Sequence, residues 1–320
     1  MPTPSVLSLD NIAEAATTID PVFLNSPQFI AEGLSRQLGL RLLCKVEVVN
    51  PIRSFKGRGT DYFAQSLGDD RTPLVCASAG NFGQGLAFAA RKREHPAPRL
   101  RRRNRQCAQS RQDAQLRRDR PPPRRRFRRR QGGRERLRRQ PGPAPGGGRR
   151  EIAIAEGAGT MAVELARWPE PLDAVYVPVG NGALINGVGR WLKHVSPHTR
   201  LIGIGATGSP SMERSWRTGT IVLTDTADTI ADGIATRVPI PMALNEMALA
   251  VDDMVLVDDD AIRDAMKPLY DELGVVIEPS AAAGLAAIIA HREQLQGQLV
   301  ATIICGGNAL PEHVKWEVGS

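Results

Sequence analysis

The sequence predicts an α/β fold of two domains, with mostly parallel twisted sheets flanked by helices. Three observations carry that prediction. Apolar runs of strand length, such as Leu172 to Val179 and Leu299 to Ile304, alternate with helical stretches along most of the chain. Glycine-rich turns follow three of the strands, at Ser78 to Gly85, Gly180 to Leu184 and Cys305 to Asn308. At 320 residues and 42% hydrophobic content, the chain has the material for a sizeable core and the length for two domains sharing a cleft.

Taken in order, residues 1–40 read as helical, with a helical pattern from Gln28 to Leu40 that ends near Gly39. Leu42 to Val49 is the first strand, and a turn at Asn50-Pro51 leads to Lys56 and a helix running through Tyr62, Phe63 and Leu67. Leu74 to Ala77 is a short buried strand, and Ser78 to Gly85 turns the chain into the apolar helix Leu86 to Ala90. Glu151 to Glu156 alternates like a strand, and Gly157-Ala158-Gly159-Thr160 reads as the opening of a helix from Met161 to Ala166. The strand Leu172 to Val179 runs into Gly180 to Leu184 and a helix through Trp191. Leu201 to Gly205 and Met254 to Val257 are further strands, with Ala231 to Ile234 in a loop between them. Asp259 to Glu272 is a helix with an acidic first turn, and Ala281 to Ala290 is an apolar helix.

The net charge of +8 invites a nucleic-acid partner, but its distribution argues against one. Between Ala97 and Arg150 there are 21 arginines and three acidic residues, while the rest of the chain has 21 basic against 31 acidic residues. That stretch contains no Val, Ile or Tyr, so it lacks the apolar surface to offset the entropy of ordering. A GC-rich gene read out of frame gives this composition. Read one base later, one permitted codon choice turns residues 99–109 into VYAAETANALK and residues 117–131 into GATVRLHGDDFDAAK, both patterned like strand and helix starts. The segment therefore reads as a compensated frameshift opening near Ala97 and closing near Arg150, detectable as a paired insertion and deletion on sequencing. A disordered basic insert or a nucleic-acid-binding arm is the alternative.

The cysteines at 44, 76, 107 and 305 lack metal-ligand spacing and read as reduced thiols, so no metal site and a cytoplasmic setting are expected. No charged leader precedes an apolar core near the start, and the nearly apolar run Ala281 to Ala290 is too short to span a bilayer. No membrane partner is expected.

Lys56 is the candidate catalyst. It follows a strand at a turn, next to Ser54, Gly57 and a second cation, where desolvation and a neighbouring positive charge lower an amine's pKa enough for carbonyl chemistry. A solvated surface lysine is the plain alternative. In parallel sheets ligands bind beyond the carboxyl ends of strands, so the three glycine-rich turns are candidates to converge on one site. Gly180 to Leu184 opens a helix and suits a phosphate, though it matches neither the P-loop nor the dinucleotide fingerprint.

The motifs RSFKGRG (53–59), SAGNFGQG (78–85), PVGNGALI (178–185) and ICGGN (304–308) occur in that order, with TIADGIA (229–235) and EPSAAAG (278–284) among them. Together they resemble the fold-type II pyridoxal-phosphate enzymes, tryptophan synthase β-like in fold, and within them the threonine/serine dehydratases and their serine racemase relatives. The resemblance covers nearly everything except residues 97–150. It implies pyridoxal 5′-phosphate as cofactor, with Lys56 as the Schiff-base lysine that also moves the α-proton, and Phe55 packed beside the cofactor. It implies that Asn81 bonds the cofactor's phenolic oxygen and that Ser78, Ala79, Gly80 and Asn81 bind the substrate carboxylate. Gly180, Asn181, Gly182, Ala183 and Leu184 would hold the phosphate, and Cys305 would face the pyridine nitrogen. Phe82 stands where the family commonly has His. Glu278 would lie near the site or hold a cation, with helix N-capping as the plainer role; Asp232 reads as a turn residue or a cation neighbour.

The implied domains are 1–45 with 151–320 as the large, cofactor-binding domain and 46–150 as the small one. The implied reaction is α,β-elimination on a small amino-acid substrate, L-threonine or L-serine, giving a 2-oxo acid and ammonia. A neutral thiol opposite the ring nitrogen suits prompt loss of a β-leaving group. A β-replacement synthase, threonine synthase or serine racemase is the alternative within the fold, and Gly57 after the lysine favours the dehydratases. By analogy the protein is a homodimer or tetramer. Damage to the cleft wall at residues 97–150 would weaken cofactor retention and solubility.

Overall fold

The computed structural model describes residues 4–70, 74–76, 80–94, 99–100 and 147–313. Ser78, Ala79 and residues 101–146 lie outside them, and so does the frameshift reading of the Arg-rich segment. The strands are β1 (Gln28–Ile30), β2 (Arg41–Val46), β3 (Val75–Cys76), β4 (Arg99–Leu100), β5 (Ala174–Pro178), β6 (Arg200–Ala206), β7 (Asp253–Val257) and β8 (Leu299–Ile304). Six of them form one sheet in the order β1-β2-β8-β5-β6-β7, and β3 pairs in parallel with β4 in a second sheet.

In the large sheet every pairing from β2 to β7 is parallel, and only the edge strand β1 runs antiparallel, with Phe29 opposite Cys44. Such strands are covered on both faces, so they read as continuous apolar runs rather than alternating ones. Every residue of β5 and β8 is buried, as is all of β2 after Arg41. The helices are α1 (Leu9–Thr18), α2 (Glu32–Leu38), α3 (Lys56–Ser66), α4 (Asn81–Lys92), α5 (Gly147–Leu165), α6 (Ala183–Val195), α7 (Ser211–Thr218), α8 (Pro241–Ala250), α9 (Asp259–Leu273) and α10 (Pro279–Ala290). The main core fills the space between the sheet and α2, α5, α6, α9 and α10. A second cluster joins Ala15, Ile19, Phe23, Ile52, Tyr62, Phe63, Leu86, Ala153 and Ile154 under α3 and α4.

Two sequence expectations are corrected. Gln28 to Leu40 is not one helix: Gln28–Ile30 takes its ladder bonds from β2, and the helix starts only at Glu32. Its end is as expected, at Gly39 with φ 71°, a conformation that favours glycine. Glu151 to Glu156 is helix rather than strand, part of the long α5. Its alternating small and apolar residues satisfy both periods, and burial against α3 on one side and α6 on another selects the helix. The two glycines read as the opening of a helix lie inside α5 as points of close approach. A Cβ on Gly157 would come within 2.8 Å of the Arg58 carbonyl, and one on Gly159 within 2.9 Å of the Gly187 carbonyl.

The carboxyl ends of the adjacent strands β2, β8 and β5 lie at one edge of the sheet, and the segments leaving them carry Lys56, Cys305 and Gly180. Among the described residues no helix is long and apolar enough to cross a membrane.

Candidate active site

Lys56 is the first residue of α3, and its turn is tied to the turn after β8. Arg53 takes φ 53°, and its carbonyl accepts from the Gly307 N–H at 2.8 Å. Ser54 pairs with Gly306, the Phe55 N–H donates to the Cys305 carbonyl at 3.0 Å, and the Ser54 hydroxyl donates to the same carbonyl at 3.2 Å. Two segments some 250 residues apart in sequence (Ser54 and Cys305) thus form one rigid floor. The Lys56 amine lies 4.4 Å from the centre of the Phe55 ring. Burial lowers its pKa, against smaller opposing effects from Cys305 and Glu278.

The second cation is not what lowers it. Arg58 turns away into a closed cluster in which its Nε meets Glu47 at 2.8 Å and its Nη1 meets Glu164 at 2.6 Å. Lys45 bonds Glu164 at 2.5 Å, and Thr160 and Ser26 accept two further guanidinium bonds. The expectation of help from a neighbouring positive charge therefore gives way to desolvation alone.

A row of hydrogen-bonded side chains links the segment before Lys56 to the starts of α4 and α10. Asn308 donates from Nδ2 to the Ile52 carbonyl at 2.9 Å and to Asn81 Oδ1 at 2.8 Å. Asn81, the first residue of α4 after Gly80, donates from its own Nδ2 to both Glu278 oxygens, at 3.0 and 2.9 Å. Glu278 occupies the N-cap position of α10 but makes no side-chain capping bond, so the plainer role read for it is replaced by the contact with Asn81. Burial raises the Glu278 pKa; Asn81, the Asn308 N–H and Lys56 oppose that, and Asp232 adds to it. Cys305 is buried, and burial, then the Glu278 charge, push its thiol well above the ordinary range, so it is a neutral thiol at physiological pH.

The third turn reaches the same place through Gly233. A Cβ on Gly180 would sit 2.5 Å from the Gly233 carbonyl, and one on Gly233 would sit 3.4 Å from Glu278 Oε1. Gly182, at φ 85°, is the N-cap of α6 and provides no side chain to satisfy the first N–H groups. Asn181 is exposed beside them and accepts a long 3.4 Å bond from Thr236, while Ala183 and Leu184 start the helix. Lys56, Phe55, Gly80, Asn81, Cys305 and Gly180 to Leu184 are thus brought together, whereas Ser78 and Ala79 lie outside the described residues. Sequence reasoning missed Asn308 as a site residue, although the glycine pair before it in ICGGN marks a turn that aims its side chain.

A family model of pyridoxal-phosphate dependent enzymes matches residues 19–306. The chain belongs to that family. It is 29% identical to the L-threonine dehydratase biosynthetic IlvA of Bacillus subtilis over 318 residues, 95% of this chain and 74% of the relative. It is 28% identical to the serine racemase of Oryza sativa subsp. indica, over 97% of this chain and 93% of the relative. The solved processed form of threonine deaminase isoform 2 from Solanum lycopersicum superposes with a TM-score of 0.75 at 25% identity, covering 97% of this chain and 88% of that one.

The residues of this pyridoxal-phosphate dependent enzyme fit its cofactor. An aldehyde needs an amine that is not fully protonated, and burial moves Lys56 in that direction. A phosphate needs unpaired N–H groups, and the α6 N-terminus supplies them around a glycine whose Cβ would lie 2.9 Å from the Ala243 methyl. Cys305, a neutral thiol, brings no charge to the site.

Proposed function

We propose that this enzyme eliminates water from L-threonine or L-serine to give a 2-oxo acid and ammonia. The observation that carries the reading is Lys56, held at the head of α3 with its amine pushed toward the neutral form and facing Cys305 and Glu278. When bound, pyridoxal phosphate supplies an electron-withdrawing ring that takes up the charge left as the α-proton departs.

In this reading Lys56 would hold the cofactor through Nζ, and the same amine would take up the substrate's α-proton. Phe55 gives that amine an apolar wall. Backbone N–H groups from Gly180, Asn181, Gly182, Ala183 and Leu184 hold the phosphate against the α6 N-terminus. Asn81 would donate to the ring's phenolic oxygen, while Ser78, Ala79, Gly80 and Asn81 would orient the substrate carboxylate. Cys305 neither gives nor takes a proton at neutral pH, which favours early departure of the β-hydroxyl over prolonged storage of negative charge. The reading also takes residues 1–45 and 151–320 as the cofactor-binding domain and 46–150 as the small one, in a homodimer or tetramer.

Similarity to both a threonine dehydratase and a serine racemase makes the fate of the α-carbon the deciding measurement. Incubation with L-threonine and L-serine is expected to release 2-oxo acid and ammonia in equal amounts, with Lys56→Ala inactive. Accumulation of D-serine faster than 2-oxo acid, or faster turnover of O-acetylserine with sulfide, would overturn the reading in favour of racemisation or β-replacement.

A further inference from the structure

The Ile52 carbonyl, Asn308, Asn81 and Glu278 form a line of hydrogen bonds with a fixed polarity. A backbone carbonyl only accepts, so the Asn308 end 2.9 Å from Ile52 O must be its NH2 group. The second hydrogen of that group points at Asn81, 2.8 Å away, and requires an acceptor there. Asn81 must therefore turn its Oδ1 toward Asn308 and its Nδ2 to the other side, where it meets Glu278 at 2.9 and 3.0 Å. Glu278 in turn lies close enough to Lys56 and Cys305 to shift the ionisation of both. An isolated asparagine amide can present either end, since the two are nearly equal in size. Here one end is selected by a main-chain atom two hydrogen bonds away, the Ile52 carbonyl.

We propose that Asn308 is a positioning residue, which fixes the Asn81 amide so that its NH2 edge and not its carbonyl faces the reaction site. Asn308 touches neither substrate nor cofactor in this assignment and acts only through Asn81. Its own position is set by the Gly306-Gly307 turn, where Gly307 is bonded to Arg53 and the Glu278 N–H donates to the Gly306 carbonyl at 2.9 Å. A donor edge at Asn81 suits an anionic ring oxygen, and a carbonyl there would repel it. The inference rests on the assignment of Asn81 to that oxygen under Proposed function.

The test compares Asn308→Ala, Asn308→Asp and Asn81→Ala with the two double variants, all as holoenzymes. It reads the pH midpoint of the absorbance band of the lysine-bound cofactor, cofactor affinity by fluorescence, and the thermal midpoint. Asp has nearly the shape of Asn but offers only acceptors, so it leaves Ile52 O unbonded and drives Asn81 to flip. Asn308→Asp is expected to weaken cofactor binding by about tenfold to a hundredfold and to move the band's pH midpoint, more than Asn308→Ala does. In the Asn81→Ala background the same substitution is expected to lose most of that effect. Equal effects in both backgrounds, or a change in the thermal midpoint alone, would overturn the positioning role while leaving the Asn81 assignment standing. If Asn81→Ala itself leaves band and affinity unchanged, Asn81 does not meet the cofactor, and both the assignment and this inference fall. Asn308 is only partly buried, so the Ala variant is expected to fold and keeps the comparison available if the Asp variant does not.

Discussion

Lys56 and Arg58 stand two residues apart in the first turn of α3, and burial weighs against charge on both. Their surroundings differ. Arg58 meets two carboxylates, Glu47 and Glu164, which overcome the desolvation and hold the guanidinium charged. Lys56 has the π face of Phe55, a neutral thiol, and a carboxylate whose own pKa is raised. Loss of water thus gives a saturated structural knot at the fully buried Arg58 and a poised amine at the half-buried Lys56. The number of carboxylate partners decides which side chain is available for chemistry.

The comparison breaks most sharply at Lys56. Lys56→Ala is expected to lower kcat by about 10⁴-fold or more and to remove the absorbance of the lysine-bound cofactor, with the thermal midpoint of the apoprotein little changed. A thermal loss as large as that of an Arg58 variant would show that both cations are structural.

Arg58→Ala is the converse. It leaves Glu47 and Glu164 buried with Lys45 as the one remaining cation of that cluster, and losing one partner of a buried ion pair costs about 3–5 kcal/mol. Urea unfolding of the apoprotein is expected to move by that amount, while any folded fraction keeps the band of the lysine-bound cofactor. Removing one charge of each sign, as in Arg58→Met with Glu47→Gln, is expected to destabilise less than Arg58→Ala alone. A double variant worse than the single would mean that net charge is not what the cluster balances.

A smaller effect separates the two carboxylates by sign. Burial alone would raise the Glu164 pKa, but Arg58 and Lys45 overcome it and leave it lowered from 4.5, whereas burial prevails at Glu278 and leaves it raised from 4.5. A lowered carboxyl binds protons more readily in the unfolded state, so its contribution is present above pH 4.5 and is lost as pH falls through the folded value. A raised carboxyl contributes below pH 4.5, and that is lost as pH rises through its folded value. Thermal midpoints scanned across the acid range are therefore expected to respond in opposite directions. Glu164→Gln removes stability gained as pH rises to 4.5, and Glu278→Gln removes a loss that sets in as pH rises above 4.5. Parallel curves for the two variants would contradict the assigned directions.

These contrasts also mark what the chain discloses in its sequence. Lys56, Cys305 and the Gly180 turn were legible because each follows an apolar run of strand length, and the strands they leave, β2, β8 and β5, lie side by side in the sheet. The Arg58 cluster was not legible, since its carboxylates come from β2's exit and from the far end of α5, 106 residues from Arg58 in the case of Glu164. Glu151 to Glu156 misled because a helix buried on two sides and a strand share the same small apolar alternation. The line from Ile52 through Asn308 and Asn81 to Glu278 depends on which end of an amide faces which neighbour, and no residue pattern encodes that.

The smallest expected effect tests the neutral partner of the poised amine. Cys305 is buried with a thiol pKa far above neutrality, and its carbonyl, not its sulfur, carries the bonds to Phe55 and Ser54. Cys305→Ser keeps a small neutral group and every backbone bond, so kcat and the cofactor band are expected to change by a few-fold at most. Cys305→Asp keeps the same bonds but sets a carboxylate beside Lys56 and against Glu278, so the Lys56 pKa is expected to rise and the pH midpoint of activity with it. Because Ser and Asp differ here chiefly in charge, the pair of variants separates neutrality from shape. If Ser proved as damaging as Asp, the fit of the sulfur, and not its lack of charge, would be what the site requires at the end of β8.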